Sequence, residues 1–233
     1  MKFSLVIPCY NEGENIPLLI KRLEDIFTFN DMEIILVNNG STDNTQLIME
    51  NCVSDFSNIK VLNIRINKGY GYGILEGLKI SKGKILGWTH ADLQTDPADS
   101  LKALKLFDDL DTDKLFVKGL RKGRSYSDQF FTFFMSIFEF MILGKFMWDI
   151  NAQPSIFNRE LYENWIDPPK DFSLDLYAYY KAKEMNYKIK RFAVNFPPRK
   201  YGESKWNFSF RSKLKFIKRT IIFSLNLKNK FLK

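Results

Sequence analysis

Cysteine is nearly missing: the chain has two, Cys9 and Cys52, among 233 residues. They form no C-x-x-C pair and no zinc-type spacing, which excludes a disulfide scaffold and a cysteine-built metal centre. Two small buried thiols in a reducing compartment are expected instead. Histidine is scarcer still, with His90 alone. Twelve glycines and eight prolines are too few for a collagen-like or low-complexity chain. Long apolar runs are also absent. The best, residues 130–148, is interrupted by Glu139 and Lys145, whereas a bilayer span wants about 20 nearly uncharged residues. Met1-Lys2 leads directly into a short apolar run ending at Pro8, so no signal peptide is expected. Acid is lacking from one segment only. From Arg199 to the end, eleven Lys or Arg face a single acid, Glu203, for a net charge of +10, while residues 1–198 are close to neutral at −2.

What is present is aromatic bulk: 22 Phe, 10 Tyr and 4 Trp. That excludes wholesale disorder and suffices for the core of one α/β domain. Apolar runs at 3–7, 34–37, 61–64, 85–88 and 115–117 alternate with helix-like spacings at 14–27, through Leu47, Ile48 and Cys52, from the Gly69–Gly73 turn to about Ile80, and through Leu101, Leu104 and Leu106. Ser41, Thr42 and Asp43 supply cap residues for the second helix, and Asp96-Pro97 reads as N-cap and N1 of the fourth. The expected fold is therefore α/β, a mostly parallel central sheet with helices on both faces. Ligands in such folds sit beyond the carboxyl ends of the strands, which points to the loops 8–12, 38–43, 67–73 and 89–96. Further on, a Phe-rich helix is expected over 128–147, a short strand near 156–157, a helix over 174–185 and a strand near 189–194. Core packing is the expectation for much of the Phe-rich helix, with a second apolar surface as the alternative.

One constellation carries chemistry directly. His90, Asp92 and Gln94 follow the fourth run. If the backbone stays extended, period-2 alternation puts an imidazole, a carboxylate and an amide oxygen on one side, a plausible divalent-metal site. The lone His of a strand end that ligates nothing is the alternative reading.

Five motifs occur in order: Pro8-Cys9-Tyr10-Asn11-Glu12, Val37 to Asp43, Asn67-Lys68-Gly69-Tyr70-Gly71, Asp92-Leu93-Gln94 and Arg199 to Lys205. Together, over residues 2–206, they resemble glycosyltransferase family 2, the dolichyl-phosphate mannose synthase-like branch. The resemblance implies a GT-A fold over 1–206, a nucleoside-diphosphate sugar donor and a divalent metal, Mn²⁺ or Mg²⁺. It makes Pro8, Tyr10, Asn11, Glu12 and Asn38 candidate base and ribose contacts, and Lys68, Gly69, Arg199 and Lys205 candidate donor contacts. Arg121 resembles the arginine that meets an acceptor phosphate, Asp92 is the central metal-site acid, and Asp175 is the candidate base for a hydroxyl acceptor. Two positions depart from the family pattern. Asn38 stands where an aspartate usually reads the base edge, and His90 replaces the first acid of Asp-x-Asp. The glycine turn is not a dinucleotide fingerprint, since it follows the third strand and lacks the G-x-G-x-x-G spacing.

The expected activity is inverting transfer of a sugar to a polyprenyl phosphate. A saccharide or lipid hydroxyl acceptor, or a non-catalytic nucleotide-sugar-binding relative, are the alternatives. Residues 207–233 form a basic amphipathic tail, with Phe210, Leu214, Ile217, Ile221 and Leu225 at helical spacing among Arg211, Lys215, Lys218 and Arg219. Such a tail suits an anionic membrane surface. The expected location is cytoplasmic, peripheral to the inner membrane face, with no nucleic-acid partner because no recognition motif accompanies the charge.

Overall fold

The structure, a computed structural model, describes residues 1–26, 31–109, 114–197 and 210–231. The alternation is as expected through the first half: β1 (Phe3–Cys9), α1 (Ile16–Leu23), β2 (Met32–Asn39), α2 (Thr45–Val53), β3 (Ile59–Ile64), α3 (Tyr70–Ile80), β4 (Ile85–Trp88), α4 (Asp99–Asp109) and β5 (Leu115–Lys122). Then follow α5 (Tyr126–Leu143), β6 (Ser155–Asn158), α6 (Arg159–Glu163), α7 (Leu174–Glu184), β7 (Lys188–Asn195) and α8 (Phe210–Phe231).

The seven strands form one sheet in the order β3-β2-β1-β4-β6-β5-β7. All neighbours are parallel except β6, which runs antiparallel to both β4 and β5. Alternation sorts the strands into two cores. Phe3, Leu5, Ile7, Ile34 and Leu36 pack with α1, α2 and α4 on one face. Val6, Ile35, Val37, Leu86 and Trp88 pack with α3 and α7 on the other. Helices therefore cover both faces of the sheet. α1 shows how spacing does this: Ile16, Leu19, Ile20 and Leu23 are its buried residues, one stripe at helical period.

Several boundaries moved for local reasons. α1 ends at Leu23 and tightens into a 3₁₀ turn, Glu24–Ile26. β1 runs two residues past the expected end, through Pro8 to Cys9. Pro8 is tolerated because β4 pairs only with residues 3–6 of β1, so Pro8 lies beyond that ladder. Asp96 caps a turn that precedes α4, its Oδ1 accepting from Ala98 N at 3.0 Å. α5 ends at Leu143, four residues before the expected end, where Gly144 at φ 66° gives a left-handed C-cap.

α8 packs on α5. Ser224 Oγ donates to Glu139 Oε1 at 2.9 Å, and Leu227 joins the second core. Among the described residues no helix is long and apolar enough to cross a membrane.

Candidate active site at the carboxyl edge

β1 has β2 on one side and β4 on the other, so the strand order reverses there. That switch point is where doubly wound sheets open a crevice. The loops after β1 and β2 at this edge are tied to each other. Asn11, at φ 55°, accepts from Thr42 N at 2.8 Å through its Oδ1 and donates its own N–H to Ser41 Oγ at 3.0 Å. Glu12 N donates to Thr45 Oγ1 at 2.8 Å, and Asn15 Nδ2 to Glu12 Oε2 at 2.5 Å. Asn38 is buried and spends its amide on neighbours: Nδ2 donates to Asn63 Oδ1 at 3.1 Å, and Oδ1 accepts from Ser41 N at 3.2 Å. Tyr10, Asn11, Glu12 and Asn38 thus stand together at the ends of β1 and β2, with Pro8 inside the strand.

The glycine turn before α3 has a reason other than a ligand. A Cβ on Gly71 would meet Asp171 O at 2.6 Å and Pro169 O at 2.7 Å, and one on Gly69, at φ 111°, would meet Lys170 O at 2.4 Å. The backbone of 169–171 rests on the turn, and Tyr72 N donates to Lys170 O at 2.9 Å. Lys68 is exposed and lies over the Tyr72 ring at 5.1 Å. Asn39, beside Asn38, donates to Gly69 O at 2.9 Å.

The premise of one shared side for His90, Asp92 and Gln94 does not hold. β4 ends at Trp88, and Leu93 has φ 59°, so the backbone after His90 is a turn rather than a strand. Asp92, only 5% exposed, accepts from Gln94 N at 3.2 Å, while the Gln94 amide donates to Pro197 O at 3.2 Å. The three residues still follow the carboxyl end of β4, beside the reversal of strand order. His90 lies 5.6 Å from the Tyr70 ring, which stacks on Phe172 at 4.7 Å. An imidazole, a carboxylate and an amide oxygen suit Mn²⁺ better than Mg²⁺, which asks for oxygen ligands. Among the described residues no three His, Cys, Asp or Glu cluster together. An ion held by these donors would have to complete its shell from other groups, such as phosphate oxygens.

Deeper in, the geometry shows a cation basin that the sequence did not. Lys118 on β5 is fully buried and donates to Ser155 Oγ at 2.6 Å and to Asp175 Oδ1 at 3.2 Å. Burial lowers its ammonium to about 8, Asp175 resisting and Arg191 assisting. Gln153 Nε2 donates to the same Asp175 oxygen at 2.6 Å and reaches the Tyr70 hydroxyl at 3.4 Å. Burial, then the charge of Asp175, raise that hydroxyl well above its ordinary range, with Asp92 adding to them.

Beside this lies Asp149. It accepts from Arg121 N at 3.0 Å and Nε at 2.9 Å, pairs with Arg124 at 3.5 Å, and has Arg191 at 3.9 Å. Burial works to raise its carboxyl, yet Arg121 and then Arg124 hold it below the usual range. Arg124 also donates to Thr132 Oγ1 at 2.7 Å. Lys118, Arg121, Arg124 and Arg191 thus face two carboxylates. Lys118 was legible only as a charge inside an apolar strand, and Asp149 carried no motif. Arg199 and Lys205 lie outside the described residues.

The chain is similar to several known proteins. Dolichol-phosphate mannosyltransferase of Pyrococcus furiosus is 30% identical over 122 residues, 51% of this chain and 34% of that protein. Undecaprenyl-phosphate 4-deoxy-4-formamido-L-arabinose transferase of Pseudomonas fluorescens is 35% identical over 99 residues, 41% of this chain and 29% of that protein. The matched stretch is about a third of the length of these relatives. Among solved structures, glucosyl-3-phosphoglycerate synthase from Mycobacterium tuberculosis, in complex with Mn²⁺, uridine diphosphate and glucosyl-3-phosphoglycerate, gives a TM-score of 0.71 at 15% identity. It is matched over 97% of this chain and 79% of that one. The sheet order and the crevice are thus those of a GT-A fold. Residues 4–138 match the family described as Glycosyl transferase family 2, and with more than half of its length so matched the chain belongs to that family.

Proposed function

We propose that the protein moves a sugar from a nucleoside-diphosphate sugar to a polyprenyl phosphate, with inversion at the anomeric carbon, peripherally at the cytoplasmic face of the membrane. The observation that carries this reading is the basin of four cations against two carboxylates at the carboxyl end of β5. An excess of buried positive charge suits a phosphate monoester, and arginine suits it by its fork of donors. The curated relatives named for dolichol phosphate and undecaprenyl phosphate support the same acceptor class.

In this scheme Tyr10, Asn11, Glu12 and Asn38 hold the base and ribose, while Lys68, Gly69, Arg199 and Lys205 hold the donor diphosphate. His90, Asp92 and Gln94 would hold a divalent ion, which when bound would supply charge neutralisation for the departing nucleoside diphosphate. Arg121 and Arg124 orient the acceptor phosphate. One of its oxygens attacks the anomeric carbon, the bond from that carbon to the diphosphate oxygen breaks, and its electrons leave with the nucleoside diphosphate. A phosphate oxygen is already anionic near neutral pH and needs no base. Asp175 suits that economy: its Oδ1 is held by Lys118 and Gln153. The buried Asn39 Oδ1 and Gln153 Oε1 have no hydrogen-bond partner among the described residues, and sugar hydroxyls would supply donors to them.

The test compares two variants on two acceptors. With a prenyl phosphate, Asp175→Asn keeps most transfer, whereas Arg121→Ala loses at least about tenfold, more than about 1.4 kcal/mol of transition-state binding. Arg121→Lys, which keeps charge but not the fork, falls between. The reverse order, with transfer to a saccharide or lipid hydroxyl abolished by Asp175→Asn, would replace this reading with the hydroxyl one. Circular dichroism and thermal melting confirm that each variant is folded.

A further inference from the structure

α5 is built inside out. At about 100° per residue, Tyr126, Phe130, Phe133, Phe134, Phe140 and Met141 fall in one sector of the helix. All six are exposed, Tyr126 by 92%, Met141 by 68% and Phe130 by 65%. The buried side holds Thr132, Ser136 and Glu139, with Leu143 in the last turn. Surface helices of globular proteins place these two stripes the other way round. An apolar sector of this kind needs an apolar neighbour.

The surroundings say which neighbour. The outward sector carries no acid: Glu139 points inward to Ser224, and Asp128 is held in the first turn by Ser125 Oγ at 2.8 Å. Cations stand at both ends, Lys122 exposed just before the helix and Lys145 partly buried just after it. α8, packed alongside, carries Lys218, Arg219 and Lys228 and no acid among its described side chains. The helix also begins at the cation basin, where Arg124 donates to Thr132 Oγ1 at 2.7 Å and to Asp128 O at 3.3 Å. Its sector continues to Trp148, whose ring meets Phe133 at 6.3 Å. An aromatic sector with a cationic rim and an indole beside it matches an anionic lipid interface.

We propose that the outward face of α5 is the seat of an anionic bilayer surface, on which the helix lies with its aromatic rings among the lipid chains. This deepens the lipid-phosphate reading and rests on it for its purpose: the acceptor's phosphate reaches Arg121 and Arg124 at the head of the helix while its chain stays in the lipid.

The test uses the full chain and the triple variant Phe130→Ser, Phe134→Ser, Met141→Ser, which changes exposed side chains only. Flotation is measured with phosphatidylcholine vesicles with and without phosphatidylglycerol, and transfer is measured separately in lipid-free buffer with a short, water-soluble prenyl phosphate. The wild type is expected to float with the anionic vesicles and to release in part at high salt, and the triple variant to lose about tenfold or more of its binding. Both proteins are expected to melt alike and to use the soluble acceptor equally. Equal flotation of the two, or wild-type protein that stays off anionic vesicles, overturns the proposal. So does a wild-type dimer in lipid-free buffer that the variant dissolves, with no vesicle binding, since that assigns the face to a second copy. Vesicle binding that depends on the triplet, without transfer to the prenyl phosphate, supports the surface and removes the acceptor reading instead.

Discussion

His90 shows how one side chain sets the demands of a site. Where an acid would bring a second negative charge, the imidazole brings a neutral nitrogen, and nitrogen ligands favour Mn²⁺ over the oxygen-seeking Mg²⁺. With UDP or GDP present, the wild type is expected to bind Mn²⁺ at least about tenfold more tightly than Mg²⁺, and His90→Asp to narrow that gap. Calorimetric titration of each ion, alone and with nucleotide, reads the ratio without turnover. The same ratio in both proteins would remove His90 from the ligand set. Asp92→Ala is expected to lose the nucleotide-dependent binding altogether while the fold persists. The sequence offered these three residues for a reason the backbone does not follow. Alternation needs an extended chain, and Leu93 at φ 59° turns it. Their place after β4 was legible; their mutual geometry was not, because a positive φ at a leucine has no sequence signature.

At the scale of elements, the strands and the first four helices were readable because each apolar run is bounded by turn residues and each helix has one apolar stripe. α5 was not. Its Phe stripe and its Thr132–Ser136–Glu139 stripe are equally periodic, so period alone gives two faces without saying which one points inward. β6 was seen as a strand but its antiparallel direction was not, since direction is set by the path of α5 around the sheet rather than by residues 155–158. The inward stripe has a consequence that can be measured. Burial raises the Glu139 carboxyl to about 7, against the hydrogen bond from Ser224, from an ordinary value of 4.5. The folded state therefore holds this proton more tightly than the unfolded chain. Its contribution to stability is complete below about pH 4.5 and lost as pH rises through about 7, a difference on the order of 3 kcal/mol. Thermal melting is expected to fall between about pH 5 and 8, and Glu139→Gln to flatten that fall and to raise the melting temperature at the alkaline end. An unchanged slope in the variant would show that another group titrates.

The whole molecule joins three features that no single element explains: a GT-A crevice at the β1/β4 reversal, a cation basin under β5, and basic charge gathered in one segment of a chain whose remainder is nearly neutral. The family and the loops of the crevice were legible from five motifs in order. The basin was not, because Lys118, Asp149 and Arg191 are brought together from β5, the segment after α5 and β7 only by the sheet. The reaction proposed for these features has a direct measurement. The full chain is incubated with Mn²⁺, a short prenyl phosphate and a panel of UDP- and GDP-sugars, and the products are identified by mass spectrometry, with the anomeric configuration read by NMR. The account predicts a glycosyl phosphoprenol of inverted configuration and one nucleoside diphosphate released per sugar transferred. Folded protein that binds the nucleotide sugars but forms no glycosyl phosphoprenol from any of them would contradict it.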